Sequence, residues 1–166
     1  MAKDSKQTLV QKIVSRDTLI DKARKWKAEG KKIVFTNGCF DIIHPGHIAY
    51  LGEAADLGDI LVVGLNTDNS VCQLKGENRP INNEFSRTQL IASMFFVDAV
   101  VLFSEDTPLD LINAVQPDVL VKGGDYNLDN IVGAKETIAN GGEVKVLNFL
   151  PGYSSTSIIE KIKGSQ

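Results

Sequence analysis

The chain alternates short, uniformly apolar runs with stretches whose apolar residues recur at helical spacing. "KKIVFTNG", "DILVVGLNT", "AVVLFS", "DVLVKGGD" and "EVKVLNF" read as strands, and "DTLIDKARKWKAEG", "GHIAYLGEAADLG", "FSRTQLIASMFF", "PLDLINAV", "IVGAKETIANGG" and "TSIIEKIKG" as helices. In the first of these helices Asp17 is the expected cap, Leu19, Ile20, Ala23 and Trp26 share a side, and Gly30 is the stop. Strands that are apolar along their whole length are covered on both faces, and a β/α alternation repeated to the C-terminus joins them by right-handed crossovers. The expected fold is therefore α/β: a Rossmann-like, doubly wound parallel sheet of five strands with helices on both faces. Residues 1–12 are polar and expected to be loose, which leaves 13–166 as one domain. Residues 67–84, "TDNSVCQLKGENRPINNE", are the least regular and are expected to form a mobile loop.

Composition narrows the function. With 166 residues, 43% of them hydrophobic, the chain can bury one sizeable core. Its net charge of -3 provides no basic excess to displace counterions, so a general nucleic-acid binder is excluded, while a single phosphate site needs only local charge. Cys39 and Cys72 form no CxxC pair and fit neither a zinc knuckle nor a disulfide framework, which points to a reducing cytoplasm. The N-terminus has no apolar signal region, and the longest apolar tract, "LIASMFFVDAVVLF", is too short for a bilayer and carries Asp98, so no membrane association is expected. Within it, "MFFVDAVVLF" suits a homo-oligomer surface as well as a core.

Ligands of open α/β sheets bind outside the carboxyl ends of the strands. The stretch "TNGCFDIIHPGH" follows the first apolar strand and carries both histidines, His44 and His47, around Pro45-Gly46. The helix beginning near His47 offers unpaired N–H groups to an anion, and two imidazoles beside it can donate to phosphoryl oxygens. Either histidine alone reads equally well as a cap or a half-buried spacer. A zinc site is a rival, but with Asp41 the set is a ligand short and the spacing is not HExxH. Near the C-terminus, "GYSSTSII" places Ser154, Ser155, Thr156 and Ser157 before the last helix, where an ordinary N-cap is the bland alternative. Lys75 and Arg79 supply cations in the irregular loop, although solvated surface charge is the usual role of such residues.

"GCFDIIHPGH" resembles the GxFDxxHxGH signature of the nucleotidyltransferase superfamily, and "GYSSTSII" is similar to its ISSTxI motif. Together with "LKGENRPIN", "EDTPLDLINAVQPDVLVKGGDYN" and "GGEVKVLNFLPGYSSTSII", the chain resembles the heptose 1-phosphate adenylyltransferases from about Lys12 onward. The resemblance implies that ATP, with Mg²⁺, reacts with D-glycero-β-D-manno-heptose 1-phosphate, a sugar 1-phosphate, giving ADP-heptose and pyrophosphate in the cytoplasm. It implies catalytic roles for His44, His47 and Lys75, and no protein-held metal. Nucleotide contacts fall on Asn37, Gly38, Cys39, Phe40, Asp41, Gly46, Gly123, Asp125, Tyr153, Ser154, Ser155 and Thr156. The acceptor falls to Arg79, Asn66 and Asp68, although Asx-turn chemistry explains the last two equally well. Asp41 is expected to orient a turn or the phosphates rather than act as a base. Phe149-Leu150 stands where cytidylyl relatives carry Arg-Thr, which leans toward adenine. Cys72 and Gln73 before Lys75, and "NEFSR" after "RPIN", depart from the family pattern and bear on acceptor choice. The alternatives are transfer to another small phosphate such as glycerol 3-phosphate, a catalytically silent nucleotide-binding module, and a metallohydrolase.

Overall fold

The computed structural model describes residues 5–124 and 130–164. Six strands form one parallel sheet in the order β1-β4-β3-β2-β5-β6, where β1 is Ile13–Val14, β2 Ile33–Gly38, β3 Ile60–Asn66, β4 Ala99–Phe103, β5 Val119–Gly123 and β6 Glu143–Leu147. The five strands expected from apolar runs are all present. The sixth, β1, is two residues long and pairs Ile13 and Val14 with Val100 and Val101, too short to announce itself by periodicity. Residues expected to be loose carry helix α1, Ser5–Lys12, tied down by Leu9 against the core and by Lys12 Nζ donating to the Met94 carbonyl at 3.0 Å.

The remaining helices are α2 Arg16–Ala28, α3 Pro45–Ala55, α4 Asp68–Lys75, α5 Glu84–Ala92, α6 Leu109–Val115, α7 Ala134–Ala139 and α8 Ser155–Lys163. Helix α2 is capped by Ser15, whose Oγ accepts from Thr18 N, so Asp17 lies in the first turn instead. Helix α4 occupies the first half of the expected irregular loop, capped by Thr67 Oγ1 accepting from Ser70 N. The polar composition of residues 67–75 concealed it, since one side of α4 buries only Ser70 and Val71.

Alternation along the strands divides the core in two. Val34, Val63, Leu65, Val100, Val119 and Val121 pack with Tyr50, Leu51 and Ala54 of α3 and Ile91 of α5 on one face. Ile33, Phe35, Val62, Val101 and Leu120 pack with Leu19 of α2, Leu111 and Ile112 of α6 and Ala134 of α7 on the other. Within "MFFVDAVVLF", Val97, Ala99, Val100, Val101 and Phe103 are buried, whereas Phe95 is 90% exposed. The chain winds outward from β2 through β3 to β4 and then returns to β5 on the other side of β2. The carboxyl ends of β2 and β5 therefore flank the switch point where a crevice must open. No helix among the described residues is long and apolar enough to cross a membrane.

Candidate active site

Strand β2 leaves the sheet at Gly38 and the chain turns sharply at Phe40, whose φ of 47° is left-handed. That conformation is costly for a residue with a side chain and persists where its surroundings fix it. Phe40 is buried and sets its ring edge-on to His47, centroids 5.3 Å apart. The turn drives Asp41 inward to 2% exposure. Its carboxylate accepts from Ile81 N at 2.8 Å, Asn82 N at 2.8 Å and Arg79 Nε at 2.6 Å, while Asn82 Nδ2 donates to the Asp41 carbonyl at 2.7 Å. Burial disfavours the charged carboxyl, but the amides of Asn82 and Ile81 and the Arg79 guanidinium outweigh it and hold Asp41 below the usual carboxylate range. Asp41 thus orients a turn, that of residues 79–82.

Helix α3 begins one or two residues earlier than expected, with His44 at the N-cap, Pro45 at the first helical position and His47 in the first turn. The two imidazoles stack nearly parallel, centroids 3.8 Å apart, and neither Nδ1 has a hydrogen-bond partner among the described residues. A Cβ on Gly46 would lie 3.0 Å from the His44 ring and 3.3 Å from Tyr153 Cβ, so glycine there is what lets these rings close. Burial, then the charges of His44 and Lys75, push His47 down to about 4 against the opposing Ile42 carbonyl, and burial lowers His44 as well. At neutral pH both rings are uncharged and beside the positive end of a helix, poised to receive an anion. Below them Tyr50 OH lies 2.6 Å from Thr36 Oγ1 and fixes α3 to β2; burial pushes its pKa up to about 12, with Thr36 opposing.

The two motifs, more than a hundred residues apart in sequence, meet. Ser155 Oγ donates to the Ile42 carbonyl at 3.1 Å, and the His44 and Tyr153 rings lie 6.4 Å apart. The start of α8 is thereby stapled beside the start of α3. Ser154 Oγ accepts from Ser157 N and so caps α8, and Thr156 is exposed in its first turn.

A cleft of about 520 Å³ opens along the carboxyl ends of β2 to β5. Of the residues singled out in the sequence it gathers Asn37, Gly38, Cys39, Phe40, Asp41, His47, Asn66, Lys75, Arg79, Gly123 and Ser155. Gly123 faces a ring: a Cβ there would come within 2.5 Å of Phe149, which lines the same cleft. Arg79 reaches the wall, but its Nε is committed to Asp41. Asp68 does not line the cleft; Arg87 Nη2 donates to its Oδ1 at 2.7 Å. Asp125 lies outside the described residues. Cys39 is partly buried, and burial raises its thiol pKa against the nearby charges of Lys75, Arg87 and Arg79, which suits a spacer rather than a nucleophile.

Two important residues are absent from the sequence reading. Arg87, with a fully buried side chain, donates to the Cys39 carbonyl at 2.7 Å, the Asn82 carbonyl at 3.0 Å and Asp68, so it bolts three loops of the site together. It sits in a helical stretch with an ordinary surface-arginine look, and no sequence signal separates it. Lys122 lines the cleft from the end of β5, next to the glycines that drew attention.

The family model for cytidylyltransferase-like proteins matches residues 35–161, from the middle of β2 into α8. The chain belongs to this family. It is a nucleotidyltransferase, and the cytidylyltransferase-like core supplies both stapled motifs. Among curated relatives it is 56% identical over 154 residues to the bifunctional protein HldE of Vibrio cholerae, covering 93% of this chain and 32% of that one. It is 57% identical over 151 residues to that of Haemophilus influenzae, covering 91% and 32%. The chain thus spans about a third of the length of these relatives. Among solved structures, a lipopolysaccharide core biosynthesis protein from Thermoplasma volcanium is 33% identical, with a TM-score of 0.58, covering 73% of this chain and 98% of that one. The pantoate-beta-alanine ligase of Francisella tularensis shares the fold at 16% identity, with a TM-score of 0.61 and coverage of 91% and 76%.

Proposed function

We propose that this nucleotidyltransferase transfers AMP from MgATP to D-glycero-β-D-manno-heptose 1-phosphate, releasing ADP-heptose and pyrophosphate. The observation that carries the reading is the staple between Ser155 and the Ile42 carbonyl, which sets two helix starts side by side at the stacked histidines. One helix start takes one phosphate group well; two adjacent starts fit the linked β- and γ-phosphates of a triphosphate. An oxygen of the acceptor's phosphate attacks the α-phosphorus in line. The new P–O bond forms as the bond to the α,β-bridging oxygen breaks, and that oxygen takes the electron pair away on pyrophosphate. No covalent enzyme intermediate is required, so catalysis consists of positioning and charge stabilisation. His44 and His47 donate N–H groups to the phosphoryl oxygens, and Lys75 adds a positive charge on the same side, close enough to act on His47.

Mg²⁺ enters with the triphosphate. The described residues gather no group of three His, Cys, Asp or Glu side chains able to hold a metal, and Asp41 is consumed by the 79–82 turn. Such a site fits an ion carried on phosphates and waters, the usual habit of Mg²⁺. Adenine is supported by Phe149, whose ring packs over Gly123 at the cleft wall and offers an apolar plane for a purine. The heptose acceptor is supported by the motif resemblance and by the names of the relatives, HldE and a lipopolysaccharide core biosynthesis protein.

The test is a pyrophosphate-release assay with ATP and heptose 1-phosphate, set against mannose 1-phosphate, glycerol 3-phosphate and CTP. The expected result is fastest turnover with the ATP and heptose pair. Preference for CTP or glycerol 3-phosphate would replace the substrates, and tight ATP binding without pyrophosphate from any acceptor would make the chain a silent nucleotide-binding module.

A further inference from the structure

Of the three cations lining the cleft, Arg79 is bound to Asp41 and Lys75 acts on the histidine side. Lys122 stands elsewhere. The β2–β5 register pairs Val34 with Val119 and Phe35 with Leu120, so Asn37 is level with Lys122, and Lys122 Nζ donates to Asn37 Oδ1 at 3.3 Å. By strand alternation both side chains continue the row of Phe35 and Leu120, on the sheet face covered by α2, α6 and α7. Asn66 continues the row of Val62 on the same face. The histidines and Ser155 belong to the opposite face, where α3 packs. The cleft therefore straddles the sheet edge, with helix starts on one side and the Lys122 ammonium, bonded to the Asn37 amide, on the other.

In-line displacement puts attacking and leaving oxygens on opposite sides of the α-phosphorus. If pyrophosphate leaves toward α3 and α8, the attacking phosphate has to arrive from the face that carries Lys122. We propose that Lys122, with the Asn37 amide beside it, holds the phosphate of the acceptor, and that Asp106 and Asn130, which line the same cleft, receive its sugar hydroxyls. This rests on the nucleotidyl-transfer reading above and replaces Arg79 and Asp68 as the acceptor's anchors. Cys39, which lines the same cleft, lies close enough to act on the Lys122 charge. Burial lowers the Lys122 pKa, because it strips water from the ammonium.

The test compares Lys122→Met and Lys122→Arg with the wild-type chain. In steady-state pyrophosphate release, K122M is expected to raise the acceptor KM by about 10- to 100-fold, the worth of a charge-assisted hydrogen bond. The KM for MgATP stays where it was, and K122R recovers part of the loss. A raised MgATP KM with an unchanged acceptor KM, or no change in either, overturns the proposal. Calorimetry separates its failure from that of the parent reading. A wild type that turns over no sugar 1-phosphate defeats the adenylyltransfer reading. In that event sugar 1-phosphate is titrated into the ATP-loaded wild type and K122M, and equal affinity or binding to neither overturns the role of Lys122, while weaker binding to K122M sustains it. Retained ATP binding certifies the fold of K122M, and K122Q is read in the same assays if K122M does not fold.

Discussion

Replacing Asp41 by Asn separates a turn-orienting carboxylate from a chemical one. The substitution keeps shape but presents an NH2 group where the native carboxylate meets three donors, the Ile81 and Asn82 amides and Arg79 Nε. The asparagine oxygen can serve only part of this set, and the Arg79 charge loses its partner. Removing one member of a buried pair costs about 3–5 kcal/mol, and the 15% exposure of the Arg79 side chain lets water relieve some of that, so a loss of about 2–4 kcal/mol is expected. Against a domain stability of about 5–15 kcal/mol this is a large shift in a urea midpoint. The sign with pH follows from the depressed pKa of Asp41. Its contribution is complete above the unfolded carboxyl value of about 3.9 and disappears as pH falls through the lower folded value. Wild type and D41N should therefore differ fully at pH 7 and converge in strong acid. Activity should fall about a hundredfold with the loosened 79–82 turn, as for a displacement of about 1 Å. A D41N protein as stable as wild type but inactive would refute the reasoning and return Asp41 to the chemistry.

His47→Ala should reduce kcat by about 10²–10³, equivalent to about 2.7–4 kcal/mol for one lost oxyanion donor, with folding intact by circular dichroism. NMR titration of His47 in the free protein should give a midpoint of about 4, and this midpoint should rise when a non-hydrolysable ATP analogue binds, because the new negative charge favours the imidazolium; a midpoint near 6.5 without ligand would refute the burial argument. Arg87→Lys keeps the charge but cannot span the Cys39 carbonyl, the Asn82 carbonyl and Asp68, so it should cost about 2–4 kcal/mol in urea unfolding. Cys39 should react slowly with a thiol reagent at pH 7, since burial raises its pKa, and should react faster in R87K than in wild type.

The alternation of apolar runs made the sheet legible because each of β2 to β5 is buried on both faces and each helix returns a single stripe to it. Helix α4 and strand β1 escaped because they bury too little for periodicity to register, two residues in the first and none fully in the second. Thr67 followed by Asp68 was the available signal for α4, a cap and an acidic first turn. The histidine and serine motifs were legible as sequence patterns, and the Ser155 to Ile42 contact then brought them together. What the one-dimensional pattern could not tell is whether a charged residue is spent on the protein or left for a ligand. Asp68 and Arg79 read as acceptor contacts, and no local rule announces that each also pairs within the protein, since their partners Arg87 and Asp41 lie 19 and 38 residues away.

That division of the cations has a physical basis. Arginine offers five donors in a rigid plane, which suits it to joining loops whose carbonyls and carboxylates already have fixed positions. Arg79 ties the 79–82 turn to Asp41, and Arg87 ties the β2–α3 loop to the 79–82 turn and to α4. Both brace the walls before any substrate arrives, Arg87 through three of its nitrogens and Arg79 through its Nε. Lysine presents a single ammonium on a flexible stem, poor at bracing several groups and good at following a phosphate. The two lysines that line the cleft, Lys75 on the histidine side and Lys122 across the sheet edge, are on the proposed reading the cations that meet phosphates. Two ammoniums on opposite sides of a cleft match a reaction in which one anion attacks as another departs. On the proposed reading, a chain with a net charge of -3 still brings two polyanions together, because two of its lysines face the cleft where the α-phosphorus would pass.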